Sequence, residues 1–73
     1  MSGRNKPWSV ALASAMKMVR ALKKQSLREQ AKWLEMSPAT LSRIERGYGC
    51  DLDALVRIHQ KTGVAYDVLL GEQ

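Results

Sequence analysis

Seventy-three residues with one cysteine and one histidine leave room for one domain, with no second core, no internal disulfide and no zinc set. The net charge of +5 is uneven: residues 1–46 hold ten Lys or Arg against three Glu, a net of +7, whereas residues 47–73 hold two against four acids, a net of −2. A basic front suits a polyanion such as DNA or RNA, although scattered surface lysines give the same total.

Residues 1–8 begin with MSGRNKP, which has no apolar pattern and reads as a flexible basic arm; residues 9–73 read as the folded domain. From Ser9, the recurrence of Leu12, Met16, Val19 and Leu22 predicts a first helix to about Lys24. The same stretch, WSVALASAM after a basic start, imitates a signal peptide, but its serines and Lys17 interrupt the apolar run. No run approaches membrane-spanning length, so a soluble cytoplasmic chain with no membrane partner is expected.

Ser26-Leu27-Arg28-Glu29 is a capping box, and it predicts a second helix with Leu27, Ala31 and Leu34 inward, ending by about Glu35. In SPATLSRIERG, Ser37 can cap, Pro38 suits the first helical position and Gly47 can stop the last turn. At about 100° per residue, Leu41 and Ile44 share one side of this third helix while Ala39, Ser42, Arg43 and Arg46 face away. Glu45 lies near the apolar edge, where a carboxylate needs a partner. Asp51 caps a fourth helix with Leu52, Leu55, Val56 and Ile58 as apolar positions, closed by Thr62-Gly63, and VAYDVLL makes a short fifth. No alternating strand pattern occurs, so the fold class is all-α. Two short helices joined by a tight turn, the second with a basic outer face, describe a helix-turn-helix whose second helix can enter the major groove.

With these residues in place, S-x-x-T-L-S-R-I-E-R-G after a capped helix, then L-D-A-L-x-x-I and G-V-x-x-x-x-L-L, the chain resembles the Cro/C1 (XRE-type) helix-turn-helix family of phage repressors and bacterial regulators over about residues 12–70. The resemblance implies a compact five-helix, lambda-repressor-like domain that binds double-stranded operator DNA, generally as a homodimer. It places base contacts on Pro38, Ala39 and Arg43, and phosphate contacts on Ser37, Thr40 and Ser42. It also implies a buried ion pair between Arg20 and Glu45. The chain departs from the family at three positions. Glu35 stands where a turn glycine is usual, so either a non-glycine is left-handed or the turn differs. Gln30 replaces a large aliphatic, bringing an amide to the core that must find hydrogen bonds. Leu27 replaces a glutamine that clamps a phosphate. The YGC loop is also about one residue short.

Among single residues, Arg43 is the candidate for reading guanine through O6 and N7, and Pro38 and Ala39 offer only apolar contact to a thymine methyl. Arg46 and Arg28, with Lys24 and Lys32, read as phosphate contacts or as plain surface charge. Arg4 and Lys6 read first as a mobile start, with a minor-groove arm as the alternative. His59 reads as a packed core histidine, Cys50 as inert, Trp33 as partly buried or as a partner contact, and Trp8 as a staple for the arm. Val64, Tyr66, Val68, Leu69 and Leu70 exceed what a short helix needs for a core and suggest a dimer patch.

The function expected is sequence-specific transcription regulation by occupying operator DNA, as a repressor or Cro-like switch. No acid–base pair, phosphate loop or activated nucleophile points to an enzyme, and no cofactor, metal or small-molecule ligand is implied. The alternatives are a restriction-modification controller protein or autoregulating antitoxin, and, from another class, a protein-interaction module on the same scaffold.

Overall fold

A hydroxyl or carboxylate side chain opens each of the three middle helices. In the computed structural model, which describes residues 7–71, the chain forms α1 (Pro7–Lys23), α2 (Leu27–Trp33), α3 (Pro38–Glu45), α4 (Leu52–Thr62) and α5 (Tyr66–Leu70), with no strand among the described residues. The Ser26 hydroxyl accepts from the Glu29 amide at 3.1 Å while the Glu29 carboxylate accepts from the Ser26 amide at 2.8 Å. Ser37 accepts from the Thr40 amide at 3.1 Å and Asp51 from the Ala54 amide at 2.9 Å. Caps of this kind each contribute about 1 kcal/mol relative to alanine.

Three helices stop in the same way. After α2, the Met36 amide reaches back to the Ala31 carbonyl and the Glu35 amide to that of Lys32, the paired bonds of a Schellman motif, which needs a left-handed residue. Glu35 supplies it at φ 59°, so the turn keeps its shape without glycine. α1 ends likewise on Lys24 at φ 55°, with Gln25 bonding back to Arg20, and α3 on Gly47 at φ 90°, with Tyr48 bonding back to Arg43. The strained Glu35 is held from α4: its carbonyl accepts from Arg57 Nη1 at 3.1 Å and its carboxylate pairs with Lys61 at 3.3 Å.

Leu12, Met16, Ala31, Leu34, Leu41, Ile44, Ile58 and Leu69 form one core, with α1 packed on α3 and α5, and α2 packed on α3. The radius of gyration, 11.0 Å, matches the ~11 Å of a compact domain of this length. No helix among the described residues is long and apolar enough to cross a membrane.

Several expectations change. The helix begins at Pro7, so Trp8 belongs to α1 and not to an arm; Arg4 and Lys6 lie outside the described residues. The Trp8 ring packs against Gly49, where a Cβ would stand 2.6 Å from the Trp8 Cη2 atom, and so joins α1 to the loop after α3; the arm it was expected to staple lies outside the described residues. Leu22 is 77% exposed, because ten residues of helix carry it about 80° around the axis from Leu12. Leu52 is 73% exposed and Ala54 takes the core position, since Leu52 lies about 120° from Ile58. His59 is half-buried, its ring stacked on Tyr66 at 4.0 Å and its Nδ1 donating to the Val64 carbonyl at 2.8 Å. Gln30 is fully buried, yet its amide oxygen and nitrogen have no hydrogen-bond partner.

Candidate nucleic-acid interface

α3 is held from one side. Leu41, Ile44 and Glu45 are buried, while Ser37, Pro38, Ala39, Thr40, Arg43 and Arg46 are exposed and Ser42 is half-buried. Ala39 and Arg43 lie one turn apart on the side farthest from the core. The side that faces water therefore carries a methyl group, hydroxyls and guanidinium groups, and no carboxylate.

The carboxylate α3 does carry is turned inward and neutralised. Glu45 is 7% exposed and accepts from Arg20 Nε and Nη2, both at 2.9 Å, a two-pronged contact that fixes angle as well as distance. The hydrogen bond and then the charge of Glu45 raise the Arg20 pKa further above its ordinary range. The pair ties α3 to α1, as the resemblance implied.

The Ser37 and Thr40 hydroxyls lie 2.8 Å apart, and Ser37 Oγ also accepts the Thr40 amide. One hydroxyl hydrogen is used between them and the other remains to donate outward, so the two residues together offer one new donor. Arg46 Nε donates to the Ser42 carbonyl at 3.4 Å. Arg28 is exposed at the second position of α2.

Two residues not assigned to this surface from sequence now join it. The Tyr48 ring lies 5.5 Å from the Arg43 guanidinium carbon and 5.4 Å from that of Arg46, within cation–π range. Lys17 shares the walls of an open groove of ≈ 580 Å³ with Arg20, Ser42, Arg46 and Tyr48. The signal for Lys17 was present: it stands three residues before Arg20, and the Arg20–Glu45 pair brings that side of α1 to α3. Tyr48 gave no such signal, since its place follows from the backward bond that closes α3.

The expected dimer patch is only partly a surface. Leu69 is fully buried and is core, because in five residues of helix its side is the one turned to α1. Tyr66 and Val68 are exposed at 39% and 59%, while Val64 and Leu70 are half-buried. Leu70 instead lines a groove of ≈ 400 Å³ with Trp8, Cys50, Leu52 and Leu55. There burial, and then the charge of Asp51, push the Cys50 thiol up to about 11. Trp33 is half-buried beneath Lys23, whose Nζ lies 4.2 Å from its ring centroid. Among the described residues no group of three His, Cys, Asp or Glu could hold a metal ion.

No protein-family model, curated protein or solved structure matches this chain.

Proposed function

We propose that this protein is a sequence-specific DNA-binding transcriptional regulator, a repressor or Cro-like switch of the Cro/C1 helix-turn-helix kind, which acts by occupying operator DNA and blocking polymerase. One observation carries the reading. α3 is anchored by Leu41, Ile44 and the Arg20–Glu45 pair on one side and offers Ala39, Arg43 and Arg46 on the other.

In this reading α2, the left-handed turn at Glu35 and α3 form the helix-turn-helix, with α3 in the major groove. Arg43 bonds guanine O6 and N7, and Pro38 and Ala39 pack against a thymine methyl. The spare hydroxyl hydrogen of Ser37 or Thr40, with Ser42, Arg46, Arg28 and Lys17, grips phosphates and sets the register. Two copies join through the groove of Trp8, Leu52, Leu55 and Leu70, with Leu69 no longer part of that contact.

Selection of bound sites from a random duplex pool at moderate salt tests it. A recovered palindrome with half-sites about one helical turn apart supports a dimeric regulator. Recovery of no motif, with binding that vanishes as salt rises, overturns sequence-specific recognition.

A second reading, a protein-interaction module on the same scaffold, draws on the exposed Leu52 and Val68. It requires binding that responds neither to salt nor to Arg43→Ala. Within the DNA-binding reading, a co-purifying toxin would turn the repressor into an autoregulating antitoxin.

A further inference from the structure

The outermost strip of α3 begins without a hydrogen-bonding side chain. Ala39, Arg43 and Arg46 fall within a sector about 60° wide on the side away from the core, and all three are exposed. At the start of this strip Pro38 and Ala39 bring only a ring edge and a methyl group. The polar groups around them are directed elsewhere. Ser37 and Thr40 hold each other at 2.8 Å, and Ser37 accepts the Thr40 amide; both lie about 100° or more around the helix from Ala39, so the one hydrogen they have left to donate points off the strip. Ser42 is half-buried and shares the groove beside α1 with Lys17. Arg46 stands about 10 Å further along the axis, and Glu45 is buried against Arg20. α3 carries no Asn or Gln, the side chains that pair with adenine.

We propose that α3 reads the methyl group of a pyrimidine rather than the pyrimidine itself, so that 5-methylcytosine is accepted in place of thymine and cytosine-5 methylation of the operator governs its occupancy. The inference rests on the DNA-binding reading of α3 and names the chemistry of its target. In the major groove thymine and 5-methylcytosine present the same C5-methyl group and differ at position 4, where thymine has an oxygen acceptor and cytosine an amino donor. Telling them apart takes a donor or an acceptor set over position 4. Arg43 spends both prongs on guanine O6 and N7, and the amides of the first turn of α3 point along the axis rather than out of the strip. Over the neighbouring base pair there remain the Ala39 methyl, the Pro38 ring and the methylene stem of Arg43, whose Cβ tilts toward the turn that holds Ala39. Such a surface favours a buried methyl group and is blind to position 4. An operator written with cytosine at that place is therefore weak until its cytosine is methylated.

The test is site selection by the full chain from three random duplex pools, built with thymine and cytosine, with uracil and cytosine, and with uracil and 5-methylcytosine. The first is expected to return guanine with thymine beside it, and the third guanine with 5-methylcytosine at the same place. The second is expected to keep the guanine and lose the preference beside it. On a duplex of the selected sequence, thymine and 5-methylcytosine at that position should each bind about fourfold more tightly than uracil or cytosine, the effect of one buried methyl group, and within about twofold of one another. Ala39→Gly is expected to erase the fourfold difference. Ala39→Glu, a carboxylate in the first turn of a helix and so compatible with the fold, gives cytosine N4 an acceptor and should favour 5-methylcytosine over thymine. A preference of about fivefold or more between thymine and 5-methylcytosine in the unsubstituted chain, equal binding of thymine and uracil, or no change of the 5-methylcytosine to thymine ratio in Ala39→Glu overturns the proposal and leaves DNA binding standing. Recovery of no motif from any pool overturns the DNA-binding reading and the proposal together.

Discussion

Arg43 and Arg46 lean on the same Tyr48 ring, at 5.5 Å and 5.4 Å. Tyr48 thus limits the directions in which Arg43 can reach. Arg43→Ala is expected to lose about 1–3 kcal/mol of discrimination at one base pair, and Tyr48→Leu a smaller part of it, about 0.5–1 kcal/mol. Competition between the selected site and its single-base variants measures both. Equal weakening on every sequence would make Arg43 a phosphate contact.

The Arg20–Glu45 pair lends itself to a double-mutant cycle. Arg20→Met leaves a nearly buried carboxylate without its two donors and should lower the melting temperature more than Arg20→Met combined with Glu45→Leu, which removes both charges together. If the double variant melts below the single, the pair itself, rather than the orphaned charge, dominates.

Glu35→Gly should stabilise the domain. A left-handed non-glycine costs about 1–2 kcal/mol, while the exposed pair with Lys61 that the change removes is worth about 1 kcal/mol or less. The Arg57 bond goes to the backbone carbonyl and survives. A lower urea midpoint for the glycine variant would show that this turn is not strained.

Gln30→Leu should stabilise it too. The buried amide has no partner for its oxygen or nitrogen, and burying such a group costs about 1–3 kcal/mol in proteins. The gain reads as a raised urea midpoint at unchanged slope. No gain would mean that Gln30 finds partners in solution.

The Cys50 thiol, pushed up to about 11 from 9.0, should alkylate slowly at pH 8, with a rate that keeps rising past pH 10. In the unfolded chain it ionises first, so between about pH 9 and 11 the folded state holds the extra proton and stability falls as pH rises. Iodoacetamide kinetics against pH in native and denatured protein check both statements. Equal profiles would contradict them.

The parts written by single side chains were legible in the sequence. Ser26, Ser37 and Asp51 cap where their types and spacing said they would, and the inward turn of Glu45 followed from counting degrees. What depended on drift or on partners from other helices was less legible. Leu22 and Leu52 fit an apolar repeat yet rotate out of the core, and Leu69 sits within a run of apolar residues that does not say which one faces in. Glu35 was left between two readings, because the α4 groups that hold its left-handed turn lie 22 and 26 residues downstream.

Trp8 lies in the first turn of α1 and Trp33, the last residue of α2, packs under Lys23 at the other end of α1, so each reports a different event. Trp8 rests against Gly49 in the loop between α3 and α4, so its emission follows the closing of a contact 41 residues apart in the chain. Trp33, beneath the ammonium group of Lys23, follows the joining of α1 to α2 ten residues away. Shorter loops close sooner, so rapid-mixing fluorescence on single-tryptophan forms should show Trp33 settling before Trp8. The molecule thus carries its own two-channel optical clock for the order in which its helices assemble.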